Sequence, residues 1–270
     1  MATILTADDV SIRFGGLVAL AQVRFEMEQG EILAIIGPNG AGKTTLFNCL
    51  TGFYRPTSGN IFYHRDGHTH LLNKLPIHRI ARLGVGRTYQ NIRLFSRMTA
   101  LENLLVAQHQ SVNNHLLAGI LKTPAFRRSE RKVLEHAWYW LRFMGLEAVA
   151  NQEAGNLPYG LQRRLEVTRA MASQPRLICL DEPGAGLNQQ ETTELNAIIL
   201  RLKEEHGVSV LLIEHHMGVV MKISDQVVVL DHGQVISQGP PAVVQQDPTV
   251  IKAYLGEEED TVVMERTGTP

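Results

Sequence analysis

Gly37-Pro38-Asn39-Gly40-Ala41-Gly42-Lys43-Thr44 fits the pattern GxxxxGK[ST] of a phosphate-binding loop. Its flanks are the ones that pattern requires. Glu31–Ile36, just before it, is a short apolar run of the kind buried in a parallel sheet, and Thr45–Leu50, just after it, reads as a helix. Strand, glycine loop and helix together turn successive backbone N–H groups inward, with the positive end of the helix behind them. Residues Gly37 to Thr45 are therefore expected to cradle the phosphates of a nucleoside triphosphate. Lys43 would reach the β- and γ-phosphates, and the Thr44 hydroxyl would ligate Mg²⁺. An ordinary glycine-rich turn rarely satisfies every position of the pattern in that setting.

The chain has 270 residues, enough for one large domain or a domain with a sizeable insertion. Its 26 basic and 27 acidic residues leave a net charge of −1, which offers no electrostatic footprint for nucleic acid or anionic lipid. The two cysteines, Cys49 after the loop and Cys179 in an apolar run, read as small buried hydrophobes of a reducing compartment. The first residues lack the basic and long apolar regions of a signal peptide, and no apolar run approaches the length of a membrane span. A cytosolic chain is expected, with any membrane role supplied by a partner.

Around the loop the pattern changes in blocks. Val10, Ile12, Phe14 and then Val18, Leu20, Val23, Phe25 alternate about a Gly15-Gly16 turn and read as antiparallel strands leading into the loop's strand. Asn60–His64 is a further strand, turned by Arg65-Asp66-Gly67. Helical periodicity runs from Thr99 to Met171, interrupted at Thr123-Pro124 and at Asn156-Leu157-Pro158. Arg176–Leu180 and Val208–Ile213 read as buried strands flanking a helix that starts near Gln189; Gln226–Leu230 and Gln234–Ser237 close the core. Residues from about 257 are polar and acidic and are expected to be disordered. The predicted class is α/β, with a core over 1–90 and 173–241, a helical insertion over 91–172, and a terminal helix and tail over 242–270.

Two carboxylates end one of those strands, at Leu177-Ile178-Cys179-Leu180-Asp181-Glu182. In a parallel sheet the strand C-termini face the ligand crevice, so both acids should emerge beside the phosphates. Asp181 suits Mg²⁺, directly or through water, and Glu182 is placed to polarise the water attacking the γ-phosphate. The next strand runs into Glu214-His215-His216, where His215 could donate to the γ-phosphate; alone, it would read as a surface or cap histidine. Gln90, just before the helical insertion, can touch Mg²⁺ or the attacking water through either end of its amide. Phe14 is a candidate for stacking on adenine, with core packing as the competing role. Leu157–Arg164 opens a helix whose exposed N-terminus, at Tyr159 and Gly160, could bind an anion.

With these pieces in this order, the chain resembles the ATP-binding subunit of an ABC transporter over about residues 8 to 256. More narrowly it is similar to the ATPase subunits of bacterial high-affinity branched-chain amino-acid importers. The stretches that carry this are Arg13–Leu17, Phe47–Tyr54, Leu121–Arg128 and Glu182–Asn188. The resemblance implies a RecA-like P-loop core with an antiparallel β subdomain and an inserted helical subdomain. It implies ATP and Mg²⁺, and two such subunits clamping two ATP molecules head to tail, each loop facing the other chain's Tyr159-Gly160 signature. It implies as partners two membrane-spanning permease subunits and, indirectly, an amino-acid-binding protein, with the chain peripheral on the cytoplasmic face of the inner membrane. Two departures stand out. Pro158 occupies the signature position that normally carries a hydroxyl, which implies a weaker composite ATP site. Asn188 stands where many relatives have aspartate, and His216 where aspartate is common.

Other features carry less. His64, His68 and His70 cluster at a turn without acidic or thiol partners at fixed spacing, and a solvated hairpin explains them better than a metal. Trp138, Tyr139, Trp140 and Phe143 cannot share one helix face, so some are core and others are free to line a docking groove. Rival functions are an ABC ATPase for lipid or lipopolysaccharide export, since cargo is chosen by other subunits, and a soluble ABC-type ATPase, which the neutral charge and lack of long coiled coils disfavour. The acid pair and the His215 strand argue against a kinase, and the lack of an NKxD motif against a GTPase.

Overall fold

The computed structural model describes residues 2–108, 124–214 and 217–254. Among them, strands form two sheets of four and six. The smaller is antiparallel, in the order β2-β1-β4-β5, from β1 (Thr3–Phe14), β2 (Leu17–Glu28), β4 (Ser58–Arg65) and β5 (His68–Leu71). The larger contains β3 (Ile32–Ile36), β6 (Val85–Arg87), β7 (Leu177–Asp181), β8 (Ser209–Ile213), β9 (Gln226–Asp231) and β10 (Gln234–Gly239), ordered β10-β9-β3-β8-β7-β6. All its pairings are parallel except β9 with β10.

The sequence distinguishes the two sheets by period. β1 and β2 alternate buried and open positions because one face of the small sheet meets solvent, whereas every residue of β3, β7 and β8 is buried. Alternation then divides the large sheet's side chains between two cores. Ile32, Ala34, Ile36, Ile178, Leu180, Val210 and Leu212 face helices, while Leu33, Ile35, Leu177, Cys179, Leu211 and Ile213 face the small sheet and α1 (Lys43–Leu50). The expected β1–β2 hairpin is present, leads along the chain into β3, and lies in a separate antiparallel sheet, as the resemblance implies. It pairs with β4 in its own sheet, because a half-solvated amphipathic ribbon has no place among strands buried on both faces. Cys49 and Cys179 are buried free thiols, both pushed up to about 12 by burial.

Between β6 and β7 lie α3 (Ala100–Ala107), α4 (Pro124–Phe143) and α5 (Tyr159–Met171); the short α2 (Ile77–Arg82) precedes β6. A capping box of Thr99 and Glu102 starts α3. Pro158 is the residue before α5, where its missing N–H costs the helix nothing. Of the aromatic run on α4, Trp140 and Phe143 are buried and Tyr139 is exposed, as the helical period requires. After β7, α6 (Gln189–His206) begins with a capping box of Asn188 and Glu191, a role asparagine fills as well as aspartate. Two short helices, α7 (Met217–Ile223) and α8 (Pro241–Val244), flank the β9–β10 hairpin. The expected tail disorder beyond residue 257, and the Leu121–Thr123 part of one signature stretch, lie outside the described residues.

Ile178 is fully buried at the centre of the helix-facing core. Ile178→Ala is expected to lower unfolding stability by about 2–5 kcal/mol through lost burial and a residual cavity. Chemical denaturation checks this, and a loss near zero would mean that the site collapses around the smaller side chain.

Candidate nucleotide site

Parallel pairing sends the C-terminal ends of β3, β6, β7 and β8 to one edge of the sheet, and every candidate of the strand ends leaves from there. After β3 the chain turns through the glycine loop. Gly37 has φ +147, and a Cβ there would collide with the carbonyl of Leu230 on β9. Gly42 has φ +100, and a Cβ would lie 2.7 Å from the carbonyl oxygen of Ala19 on β2. The loop is thus wedged between the two sheets, at a backbone geometry that favours glycine. The loop helix starts at Lys43 rather than at Thr45, since Leu46 N–H already donates to the Gly42 carbonyl at 2.8 Å.

Lys43 is buried, and its ammonium donates to the carbonyls of Gly37 (2.6 Å) and Pro38 (2.8 Å). These bonds hold a cation inside the curl of the loop, where an anion would meet it. Asn39, Gly40 and Thr44 are exposed at the crevice, Ala41 is buried, and Thr45 is half-buried. A positive pocket with an open hydroxyl beside it fits a polyphosphate and its divalent ion.

Asp181 ends β7 and is buried, 3.7 Å from the Arg87 guanidinium. Burial raises its carboxyl above the usual carboxylate range; Arg87 opposes this and Glu182 adds to it. Glu182 has φ +45, a conformation that costs a β-carbon-bearing residue about 1–3 kcal/mol and concentrates at functional sites. Its N–H donates to the Ile213 carbonyl at 3.0 Å, and its carboxylate accepts from Gln90 Nε2 at 3.1 Å. Gln90 and Glu182 are 92 residues apart in sequence, so their contact exists only through the fold.

Two residues not singled out from the sequence complete this edge. Arg87, at the end of β6, donates to Asn48 Oδ1 (2.8 Å) and to Thr51, and lies over the rings of Phe47 and Phe53 at 4.6 and 4.5 Å. It joins the loop helix to the Asp181 strand. Glu214, 1% exposed at the end of β8, accepts from the Gly184 N–H at 3.0 Å and holds the turn after Glu182. An arginine and an acid at strand ends were the available signals, but their partners were not readable. His215 and His216 lie outside the described residues.

Other candidates stand elsewhere. Phe14, at the end of β1, is half-exposed with its ring edge-on to Tyr54 at 5.2 Å. Tyr159 and Gly160 open α5, where Tyr159 packs on Gly186, Gly160 meets Glu191, and Tyr159 is 45% exposed.

The loop geometry gives two expectations. Gly37→Ala should abolish nucleotide binding in a direct titration, since the added carbon must move either the loop or β9; retained affinity would show that β9 yields. Asp181→Asn tests the buried charge. A carboxyl raised in the folded state favours folding while protonated, below the ordinary carboxylate range, and opposes it as pH climbs through the folded value. In nucleotide-free buffer the variant should therefore be at least as stable as wild type at pH 7, with the gap closing on acidification. Denaturation curves at both pH values decide it.

Known proteins share this architecture and sequence. A family model described as ABC transporter matches residues 20–185, and one described as branched-chain amino acid ATP-binding cassette transporter matches 234–260. The high-affinity branched-chain amino acid transport ATP-binding protein BraF of Pseudomonas aeruginosa is 54% identical, covering 94% of this chain and 98% of that protein. LivG of Escherichia coli K12, of the same description, is 51% identical over the same shares. The probable LivG of Archaeoglobus fulgidus is 36% identical, covering 96% of this chain and 98% of its own. Among solved structures, an ATP-binding cassette of an ABC transporter in its ADP conformation superposes with a TM-score of 0.81 at 29% identity, covering 95% of this chain and all of that one (100%). The chain therefore belongs to the ABC transporter family, as an ATP-binding cassette of the branched-chain amino-acid transport group.

Proposed function

We propose that this chain is the ATP-hydrolysing motor subunit of an importer of branched-chain amino acids, working through membrane-spanning partner subunits. The observation that carries the reading is the Gln90–Glu182 contact at the strand edge that also presents Lys43 and Asp181. The kinship with BraF, whose own description is a branched-chain amino acid transport ATP-binding protein, supplies the cargo.

Bound ATP supplies the phosphoryl group whose hydrolysis releases the driving free energy, with Mg²⁺ offsetting its charge. The chain's residues do the rest. Lys43 exchanges its two loop carbonyls for phosphate oxygens, and the N–H groups of residues 37–45 wrap the same phosphates. The Thr44 hydroxyl, the Asp181 carboxylate and the Gln90 amide oxygen would hold the divalent ion, which would neutralise charge on the phosphates. Glu182 takes a proton from the attacking water, and the hydrogen bond from Gln90 aims its carboxylate. His215 donates to the phosphate being lost, and Phe14 stacks on the base. Tyr159 and Gly160 serve the site of a second ATP-binding subunit, with Pro158 weakening that contact.

The division into a core (1–90, 173–241), a helical arm (91–172) and a C-terminal segment (242–270) belongs to the same reading. An apolar groove of about 420 Å³ runs between core and arm, lined by Phe53, Ile77, Ile80, Val85, Phe95 and Val106. Phe53, Ile77, Phe95 and Val106 are exposed, which favours this groove as the seat of a permease segment. No described helix is long and apolar enough to cross a membrane. In this reading the chain sits peripherally on the cytoplasmic face, held by two permease subunits and served indirectly by an amino-acid-binding protein.

Glu182→Gln should keep ATP affinity while lowering kcat about 10²–10⁴-fold, the usual scale of a general base. Phosphate release and nucleotide titration on the same preparation check both halves. Undiminished hydrolysis would remove Glu182 from the role.

A further inference from the structure

Arg163 and Glu166 lie on α5, 0% and 1% exposed, with Arg163 Nη1 3.0 Å from Glu166 Oε2. The mechanism above uses neither. Both reach out of their helix to the main chain of the loop after β6. Arg163 donates to the carbonyls of Tyr89 and Gln90, each at 2.8 Å. Glu166 Oε1 accepts from the N–H groups of Tyr89 (3.4 Å) and Arg93 (3.2 Å). One pair of charges therefore grips the loop on both sides of Gln90, whose side chain meets Glu182 at 3.1 Å. Arg163 Nη2 also reaches the Tyr159 hydroxyl at 3.3 Å, tying the grip to the start of α5.

A buried ion pair is an inefficient source of stability. Removing two charges from water is costly, and well-packed apolar residues often serve as well or better. The cost is visible at Glu166, whose carboxyl is raised chiefly by burial, against the pull of the Arg93 N–H, Arg163 and the Tyr89 N–H. What such a pair does well is hold one geometry, because a displaced loop would strip both charges of their main-chain partners and leave them only each other and the Tyr159 hydroxyl inside the protein.

We propose that Arg163 and Glu166 are positioning residues that fasten the Gln90 loop to α5, so that Gln90 reaches Glu182 only when α5 is seated. The proposal rests on the reading of the chain as an ATPase. Movement of the loop, which borders the apolar groove, and movement of the helix that opens at Tyr159 then become one event.

Glu166→Gln and Arg163→Lys, each in the assembled transporter, test it. Each disturbs a buried pair and should lower the melting temperature; assayed well below it, both should bind ATP with unchanged affinity and KM, while kcat falls about tenfold or more, as losing one or two charge-assisted bonds at this loop implies. Unchanged kcat in folded variants, or a kcat loss no larger than the unfolded fraction at the assay temperature, would overturn it. Hydrogen exchange on wild type needs no variant. When an unreactive ATP analogue replaces ADP, the Tyr89 and Arg93 amides should respond together with those of residues 161–163; independent responses would overturn the proposal. A wild-type complex without ATPase activity would overturn the underlying reading and this inference together, whereas an active wild type with indifferent variants sinks only the inference.

Discussion

The parallel ladder running β6-β7-β8-β3-β9 is the constraint on which the rest depends. Parallel neighbours cannot be joined by tight hairpins, so β3, β6, β7 and β8 are each left by a longer connection, and their C-terminal ends collect at one edge. The glycine loop, Gln90, the acid pair and Glu214 are four separate stretches of chain, and they meet because they follow four strands of that ladder. Burial on both faces keeps the ladder rigid, since Ile178 and Leu180 are locked among helices while Cys179 is locked against the small sheet.

Against that rigid background the edge itself is uncomfortable. Gly37 brings its α-carbon against β9, Glu182 sits at positive φ, and Asp181 is buried close to a second carboxylate. The last two disfavour the folded state, and each of the three concerns a group proposed to meet phosphate, ion or water. Function of this kind requires unsatisfied capacity, and the surrounding packing has to hold it in place.

Long basic side chains connect the edge to its surroundings. Arg87 spans from the loop helix to Asp181 through the rings of Phe47 and Phe53, and Arg163 with Glu166 spans from α5 to the Gln90 loop. His206 at the end of α6 meets the rings of Tyr139, Trp140 and Phe143 on α4 at 5.8, 4.7 and 4.9 Å. α5 thus touches the Gln90 loop through a polar clamp near the site, and α4 touches the end of α6 through an aromatic cluster. Guanidinium forks suit the first role because they bond two acceptors in fixed directions, and the rings serve the second by burying area edge to face, with the Tyr139 hydroxyl 3.1 Å from His206 Nε2.

Local signals were readable without coordinates. The loop pattern with its strand and helix, the all-apolar runs of β7 and β8 ending in acids, and the helix start near Gln189 each lie within twenty residues of chain, where backbone preference and period act directly. From periodicity alone the hairpin's separate antiparallel sheet, which the family resemblance implies, was not readable, because alternation shows that one face is solvated but not which partner takes the other. Nor were the partners of Arg87, Arg163 and Glu166: a charged residue announces itself, but whether it is buried, and against what, is settled by chain segments 36 to 94 residues away. The chemistry was written in residue types at short spacing; the geometry that aims it, with Gln90 on Glu182 and α5 on the Gln90 loop, came only from packing distant segments together.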